Sequence, residues 1–218
     1  FPELQGARYD WRPYNSVEEF FRPGFVSNTN VNIAGSTQDG NTNFNVNLGY
    51  LDDQGFTPGN SLQRFNLSVG GRSQLSNKFT VQATANFART DYRTPPIASS
   101  RGNGTDGLSV FGNVLFTPIS VDLMGLPFEN PIDGSSVYYR NGNDIINPRW
   151  TAKNVAYGQL TNRINWTASL TYDLTENLNV NWRSGLDFYN ERNINGSNKG
   201  GVEFNQAIFG FYQTYDNN

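Results

Sequence analysis

Three consecutive runs of alternating residues, spread over positions 43–87, constrain the fold of this chain more than any other feature. In the runs 43–50, 64–70 and 79–87, apolar side chains alternate with Asn, Ser, Thr, Gln, Arg or Gly. Successive side chains of a β-strand point to opposite faces, so each run predicts a strand with one apolar and one polar face. Turn-rich segments separate the runs, which indicates an antiparallel meander.

The same alternation predicts further strands on both sides of this block. We expect strands at 25–35, 159–172 and 178–189, and a less regular strand within 202–215. The fold class is therefore all-β, with about seven strands between residues 25 and 218 arranged as an up-and-down meander. At about 9–13 residues, the predicted strands are as long as tilted transmembrane strands and longer than the ~5–6 residues usual in soluble sheets.

The connections between these strands divide into two classes that fall on opposite ends of the sheet. The predicted links at 36–42, 75–78 and 173–177 are short and share one end. Those at 52–61, 92–158 and 190–201 are longer and share the other. Short turns on one side and long loops on the other are typical of outer-membrane barrels. We therefore predict a segment of a large transmembrane β-barrel, with 92–158 as one long extracellular loop region.

Hydropathy and aromatic residues agree with this interpretation. The mean hydropathy is -0.58, and no run of about 20 apolar residues is present, so transmembrane helices are excluded. Aromatic residues lie near both ends of the predicted strands, where the two interfaces of a bilayer favour them. Those beside the short links are Phe44, Phe79 and Tyr172, and those beside the long links are Tyr50, Phe65 and Phe87.

Two regions depart from the strand pattern. Residues 1–24 read as a connector with a short helix, for which Ser16 and Glu19 have the spacing of a capping box and Pro23 marks the end. Within 92–158, the spacing of Leu108, Phe111 and Val114 favours one short helix. A loop this long is uncommon without a function, so we expect it to fold over the mouth of the barrel.

Composition excludes several classes of chemistry. The chain contains no Cys and no His, which removes thiolate metal sites, the commonest metal ligand and the usual general base. A net charge of -3 without a basic stripe disfavours nucleic-acid binding. Adjacent carboxylates occur at Glu18-Glu19 and at Asp52-Asp53, the latter in a predicted turn, where acidic residues are common for backbone reasons. We therefore expect no enzymatic activity and no cofactor.

Calcium binding remains open from the sequence. Oxygen-rich segments at 105–106 and 141–144 could supply ligands to Ca²⁺, although the EF-hand spacing is absent and plain turns explain both segments.

Two sets of residues are candidates for binding. In the long loop, Tyr138, Tyr139, Arg140 and Trp150 combine flat rings with a guanidinium and could contact a sugar or a peptide, or could simply pack within the loop. On the strands, the polar positions predicted to face a lumen are Arg64, Arg72, Gln82, Asn86, Arg163, Asn179, Asn181 and Arg183.

Several segments resemble the barrel portion of the SusC/RagA-like TonB-dependent outer-membrane transporters of Bacteroidetes. They are Asp10-Trp11, N-V-N-I-A-G at 30–35, N-F-N-V-N-L-G-Y-L-D-D-Q-G at 43–55, R-F-N-L-S-V at 64–69, and Ile132-Asp133-Gly134 followed by Asn147-Pro148. The resemblance implies a plug inside a 22-stranded barrel, a SusD-like surface lipoprotein, coupling to TonB, and import of oligosaccharides or peptides (glycan import and nutrient uptake) across the outer membrane of a Gram-negative cell.

Seven strands cannot enclose a plug, because barrel diameter grows with strand number. No plug, TonB box or signal sequence is recognised, so we expect a fragment of a larger transporter, with the lumen-facing set contacting the plug and the passing substrate. The alternative is a secreted glycan-binding β-sandwich, in which the apolar faces would press against a second sheet and loops would be of similar length at both ends.

Overall fold

Residues 6–8, 11–96, 109–137, 146–201 and 210–217 are described by the computed structural model of the chain. Their strands form a single antiparallel sheet in sequence order, a meander of seven strands. The strands are β1 (Phe25–Ser36), β2 (Thr42–Gln54), β3 (Ser61–Ser76), β4 (Phe79–Thr94), β5 (Val155–Thr175), β6 (Leu178–Ser197) and β7 (Phe211–Asn217). The predicted all-β meander is confirmed. Its strands β5 and β6 are 21 and 20 residues long.

The sheet extends farther toward the long connections than the sequence predicted. β4 continues to Thr94 and β5 begins at Val155, so the long connection covers 95–154 rather than 92–158. β6 likewise continues to Ser197 through residues expected to form a loop. Alternation of apolar and polar residues weakens in these extensions, which is why the sequence pattern stopped short of them.

Among the described residues, three helices lie outside the sheet: α1 (Ser16–Phe20), α2 (Val110–Leu115) and α3 (Pro148–Asn154). The predicted helices near Ser16 and Phe111 are confirmed as α1 and α2, although the N-cap of α1 is Asn15 and not Ser16. The Asn15 side chain accepts a hydrogen bond from the Glu18 backbone N–H and donates one to the Glu18 carboxylate over 2.6 Å. Ser16 is instead buried, and its hydroxyl donates to the carbonyl of Val121.

The connections between strands divide as the sequence predicted. At one end, the turn end, they cover only residues 37–41, 77–78 and 176–177. At the other end, the loop end, they cover 55–60, 95–154 and 198–210. The five-residue turn 37–41 is organised by Asp39, whose carboxylate accepts hydrogen bonds from the backbone and side chain of Asn41, and by Gly40 at a φ of 71°.

The strand register gives the sheet one apolar and one polar face. On the apolar face, two complete cross-strand rows run from β1 to β6, and every member is apolar. They are Val31, Leu48, Leu67, Phe87, Ile164 and Phe188, and Ile33, Val46, Val69, Ala85, Trp166 and Leu186. On the opposite face, the corresponding rows consist mainly of Asn, Ser, Thr, Gln, Arg and Gly.

The apolar face is not a packed core. Its large side chains remain exposed, for example Ile33 at 55%, Trp182 at 54% and Phe188 at 52%. The buried apolar residues lie instead in the loops at the loop end, in two clusters. The first contains Phe20, Val110, Val114 and Leu123, and the second contains Ile146, Trp150 and Val155. The exposed apolar face is therefore a surface that something outside the described residues must cover.

Candidate functional site

The apolar face carries a band of limited height. On β4 it runs from Phe79 to Phe87, a span of about 27 Å along the strand at ~3.4 Å per residue. With the ~40° tilt of transmembrane strands this becomes about 21 Å, close to the ~25 Å apolar band of such barrels. Phe79 and Tyr172 pair at the turn end with ring centroids 6.3 Å apart, and Phe65 and Phe87 do so near the loop end at the same distance.

Beyond the band, toward the loop end, the same face becomes polar. The row after Phe87 contains Arg89, Asn162 and Asn190. The next row contains Asp91 and Arg192, and Arg192 pairs with Asp216 on β7 over 2.9 Å. On β5 the member of this row is the apolar Leu160, so the change from apolar to charged side chains at this level involves β4, β6 and β7.

The opposite, polar face holds every residue predicted to face a lumen. Direct register partners share a face, and the pairs Arg72↔Gln82, Gln82↔Ser169 and Ser169↔Arg183 place three members of the set in one row. Asn86 lies in another row, where its amide donates to Asn165 over 2.7 Å. The remaining members, Arg64, Arg163, Asn179 and Asn181, occupy the same face by strand alternation.

Charged members of this face bind neighbouring strands. Arg163 makes a bidentate ion pair with Asp187 on β6, with an Nε to Oδ1 distance of 2.9 Å. Arg64 donates to the Thr90 hydroxyl over 3.3 Å, and Asn181 donates to the Thr171 hydroxyl over 2.8 Å. These cross-strand contacts satisfy part of the hydrogen-bonding capacity of the face. Its remaining polar groups can bond to water or to a polar partner.

The loop end carries a folded cap, formed by α1, residues 55–60, α2, residues 117–137 and α3. Rings of Phe20, Phe21, Phe56 and Phe111 join three of these pieces, with successive centroids 5.1–5.8 Å apart. Backbone bonds add to this, including Tyr14 N–H to the Ile119 carbonyl at 2.8 Å. The long connection is therefore a packed unit over the described ranges 109–137 and 146–154.

The cap packs against the polar face at the loop end of the sheet. Val155 pairs with Ser197 in the last row of β5 and β6, on the same face as Arg163 and Asp187. Both residues are buried, and Val155 belongs to the cluster that also contains Ile146 and Trp150. The cap thus covers the loop end of the polar face and leaves the apolar band open.

Trp150 occupies the centre of this packing. Its side chain is fully buried in α3, and its indole N–H donates to the carbonyl of Gly134 over 2.9 Å. The ring is therefore packed within the loop, and substrate contact by Trp150 stays a prediction. The other three predicted loop residues, Tyr138, Tyr139 and Arg140, lie outside the described residues, as do the oxygen-rich segments at 105–106 and 141–144.

Sequence reasoning missed a second set of polar-face residues close to the cap. Tyr92, Gln159, Asn193 and Tyr215 form one cross-strand row there. Tyr189 lies two rows farther from the cap on the same face. Three of these five residues, Tyr92, Asn193 and Tyr215, lay in segments predicted as loop or in the least regular strand, whereas Gln159 and Tyr189 are end residues of predicted strands. Extending the two-residue period past positions 87 and 189 would have placed them.

The adjacent carboxylates Asp52 and Asp53 lie on opposite faces of the sheet. Asp52 and Asp53 are successive residues of β2, so their side chains point to opposite faces; Asp52 pairs with Ser27 and Gln63, and Asp53 with Val26 and Leu62. In the described part of the chain, no group of three or more acidic residues is placed to hold a metal ion. None of the described helices is both long enough and apolar enough to cross a membrane.

Comparison with known proteins identifies related folds only at the level of structure. No family model and no curated protein matches the sequence. Chains of the RagAB peptide importer do match the structure: in the closed-closed state with a TM-score of 0.66 at 17% identity, over 86% of this chain and 20% of that chain. The open-open state gives 0.66 at 18% identity, over 89% and 21%.

A third structure, described as the RagAB peptide transporter, gives a TM-score of 0.65 at 18% identity, over 86% of this chain and 20% of that chain. The chain thus spans about a fifth of the length of these importer chains. At this identity the match concerns the fold. The open seven-stranded meander, with its two-faced strands and its cap on one end, is similar in fold to part of a RagAB importer chain.

Proposed function

We propose that this chain is a wall segment of a TonB-dependent transporter in the outer membrane of a Gram-negative cell. In this proposal, the apolar face contacts lipid and the polar face lines the lumen. The single observation that carries the proposal is the apolar band, whose large side chains are exposed over a height close to the ~25 Å apolar band of outer-membrane barrels. Soluble monomeric proteins rarely expose so large a contiguous apolar surface.

Orientation follows from the two ends of the sheet. Outer-membrane barrels have short periplasmic turns and long extracellular loops. The connections of 37–41, 77–78 and 176–177 would therefore lie on the periplasmic side, and the cap on the outer surface. The charged row with Asp91 and Arg192 would meet the lipid headgroups.

The partners are part of the proposal. The rest of the barrel would continue from β1 and from β7, because neither edge strand pairs with a further described strand. A plug would fill the lumen and contact Arg64, Arg72, Gln82, Asn86, Arg163, Asn179, Asn181 and Arg183. TonB would supply energy from the periplasmic side, and a SusD-like lipoprotein would cover the cap. Peptides or oligosaccharides would be the cargo, as the peptide importer of similar fold suggests.

The glycan-binding sandwich lacks structural support. A sandwich requires a second sheet packed on the apolar face, whereas the described strands all belong to one sheet. Its prediction of similar loops at both ends also disagrees with turns of two to five residues facing a connection of 95–154. No specific observation favours an enzyme, and we propose that the segment has no catalytic role.

Adjacent residues on opposite faces give a direct test. Ala85 lies in the middle of the apolar band and Thr84 on the polar face. The chain contains no Cys, so Ala85→Cys and Thr84→Cys can each carry one fluorophore in the intact protein that contains this chain. In vesicles with brominated acyl chains, we expect quenching at position 85 and not at 84.

Aqueous iodide should show the reverse order, with position 84 quenched more than position 85. Lack of lipid quenching at position 85, or a protein that stays soluble and folded without detergent, would contradict the transporter proposal. A sandwich would shield position 85 from both quenchers.

A further inference from the structure

We propose that a hollow in the apolar band holds one acyl chain of a phospholipid from the membrane leaflet on the turn-end side. Most of the band would contact lipids that exchange freely, whereas the hollow would retain a single chain. This inference rests on the proposed function, because only a lipid-facing band would meet acyl chains.

One cross-strand row of the band carries small side chains on four neighbouring strands. Gly71 on β3 pairs with Ala83 on β4, Ala83 with Ala168 on β5, and Ala168 with Ser184 on β6. On β5 and β6, the rows on both sides of this one hold Leu or Trp. The row toward the loop end is also small on β4, where it contains Ala85. These small side chains lower the surface of the band between β3 and β5.

The lowered surface is a hollow of about 470 Å³. Its floor consists of Gly71, Ala83 and Ala85. The apolar walls around this floor are Phe44, Val69, Val81 and Trp166. A Cβ at Gly71 would lie 3.1 Å from the carbonyl oxygen of Asn43, so glycine keeps this part of the floor open. The side chains of the apolar face that line the hollow include no charged group, which suits a hydrocarbon occupant.

A pair of hydroxyls borders the hollow toward the turn end. Thr42 and Ser73 are register partners on the apolar face, and their hydroxyl oxygens lie 2.7 Å apart. In such a pair one hydroxyl donates to the other, which leaves the second hydroxyl proton for another acceptor. The ester carbonyl at the start of a phospholipid acyl chain is such an acceptor. The hollow therefore has an apolar body and one polar end, as the chain and its ester require.

The slope of the apolar band gives the direction of the membrane normal. Between β3 and β4 the aromatic edge at the loop end moves from Phe65 to Phe87. Phe65 pairs with Arg89, so Phe87 lies one row nearer the turn end. For this edge to be level in a membrane, the strands must be inclined, and transmembrane strands are tilted by ~35–45°.

The long axis of the hollow follows that normal. One strand spacing of ~4.8 Å and two residues at ~3.4 Å each lead from Ser73 to Ala83, an incline of about 35° to the strands. The same step again leads from Ala83 to Trp166, about 17 Å from Ser73. This length is close to half of the ~30 Å hydrocarbon core. The hollow would therefore extend from one interface to the middle of the bilayer, which is the depth of one leaflet.

Shape favours a lipid chain over a protein partner. The hollow is bounded on both sides by aromatic rings, Phe44 on β2 and Trp166 on β5. The face of a second sheet would rest on these rims and leave the floor at Ala83 unfilled. A flexible hydrocarbon chain can follow the floor and remain in van der Waals contact with it.

The test uses the intact protein that contains this chain, purified in detergent so that loosely bound lipids are removed. Phosphatidylethanolamine is added, and bound lipid is quantified by native mass spectrometry. A second sample receives phosphatidylethanolamine with a photoreactive diazirine in the middle of one acyl chain. We expect retained lipid, with crosslinks concentrated in the peptides that contain Ala83 and Trp166.

Variants connect retention to the hollow. Ala83→Leu fills the floor and should reduce the affinity for phosphatidylethanolamine about tenfold. Ser184→Leu is the matched control, because Ser184 lies in the same row of the same face but does not line the hollow, and it should leave the affinity unchanged. Thr42→Val combined with Ser73→Ala should weaken binding about fivefold, the effect of one lost hydrogen bond.

No retained lipid in the wild type, equal affinity in Ala83→Leu and the wild type, or an equal loss in Ser184→Leu would each overturn the proposal. Crosslinks spread evenly over the apolar band would do the same. The fluorophore at position 85 in vesicles reports independently on the transporter proposal. Lipid quenching there, together with unaffected lipid binding in Ala83→Leu, would reject the hollow alone, whereas absent lipid quenching would reject the transporter itself.

Discussion

The guanidinium of Arg149 lies 4.3 Å from the centre of the Phe128 ring. Its Nη1 also donates to the carbonyls of Met124 at 2.9 Å, Leu126 at 3.0 Å and Leu123 at 3.2 Å. The Arg149 side chain of α3 thus binds three backbone carbonyls within residues 123–126. Partial burial lowers the pKa of Arg149 from its ordinary value, opposed by the nearby Asp122 charge. The guanidinium stays protonated because its ordinary pKa is far above neutrality.

Arg149→Lys is therefore expected to loosen the cap. Lysine carries one ammonium in place of the planar fork, and it cannot stack on Phe128 while reaching three carbonyls. We expect a local loss of about 1–3 kcal/mol, measured by hydrogen exchange of residues 117–126. Arg89→Lys is the control, because Arg89 is exposed on the sheet and forms no ion pair with a described residue. Equal protection in both variants would show that Arg149 does not organise the cap.

Trp150 allows packing and hydrogen bonding to be separated. Trp150→Phe keeps most of the ring but removes the N–H that bonds Gly134 over 2.9 Å, and should cost about 1–2 kcal/mol. Trp150→Ala leaves a cavity and should cost about 3–5 kcal/mol. Limited proteolysis of the cap measures both. Unchanged proteolysis in Trp150→Phe would show that the indole N–H does not stabilise the cap.

Docking of residues 55–60 on α3 depends on Gly59. This glycine has a φ of 84°, and a Cβ there would lie 2.9 Å from the carbonyl oxygen of Ala152. Gly59→Ala should combine backbone strain of about 1–2 kcal/mol with a clash against α3. Gly40→Ala is the matched control: its φ is 71°, but no atom lies within 4 Å of the added Cβ. Faster hydrogen exchange at Asn60 in Gly59→Ala, beyond the effect of Gly40→Ala at its own turn, would measure the docking.

The turn at Asp133 should be sensitive to acid. Hydrogen bonds from the Ser135 hydroxyl at 2.7 Å and the Ser135 backbone N–H at 2.9 Å lower the pKa of Asp133 below its ordinary value of 3.8. A carboxylate with a depressed pKa in the folded state stabilises the fold above its unfolded-state pKa, and this contribution is lost as the pH falls through the folded value. The turn should therefore be constant above about pH 5 and loosen only below 3.8.

Chemical shifts of Gly134 across a pH titration would follow this transition. Ser135→Ala should raise the pKa of Asp133 toward its ordinary value and shift the transition to higher pH. An unchanged midpoint in Ser135→Ala would show that the hydroxyl does not hold the carboxylate.

Residue order alone determined the two-faced sheet. Alternation in segments such as 79–87 dictates which side chains share a face, because the period of a strand is two residues. Direct antiparallel pairing then carries one face across all strands, so the eight predicted lumen positions lie together. The separation of short and long connections followed from counting strands, and α1 and α2 followed from local spacing.

Tertiary structure decided the rest, because it depends on contacts between residues distant in sequence. The burial of Trp150 requires Gly134 and Ile146 beside it, and no local pattern encodes that meeting. The row of Tyr92, Gln159, Asn193 and Tyr215 likewise arises only when β4, β5, β6 and β7 align in register. Near the cap, the strands extend beyond the apolar band. Polar side chains occupy both faces there, so the alternation of apolar and polar residues weakens. The strand period assigns those residues to a face, and the register then brings them into one row.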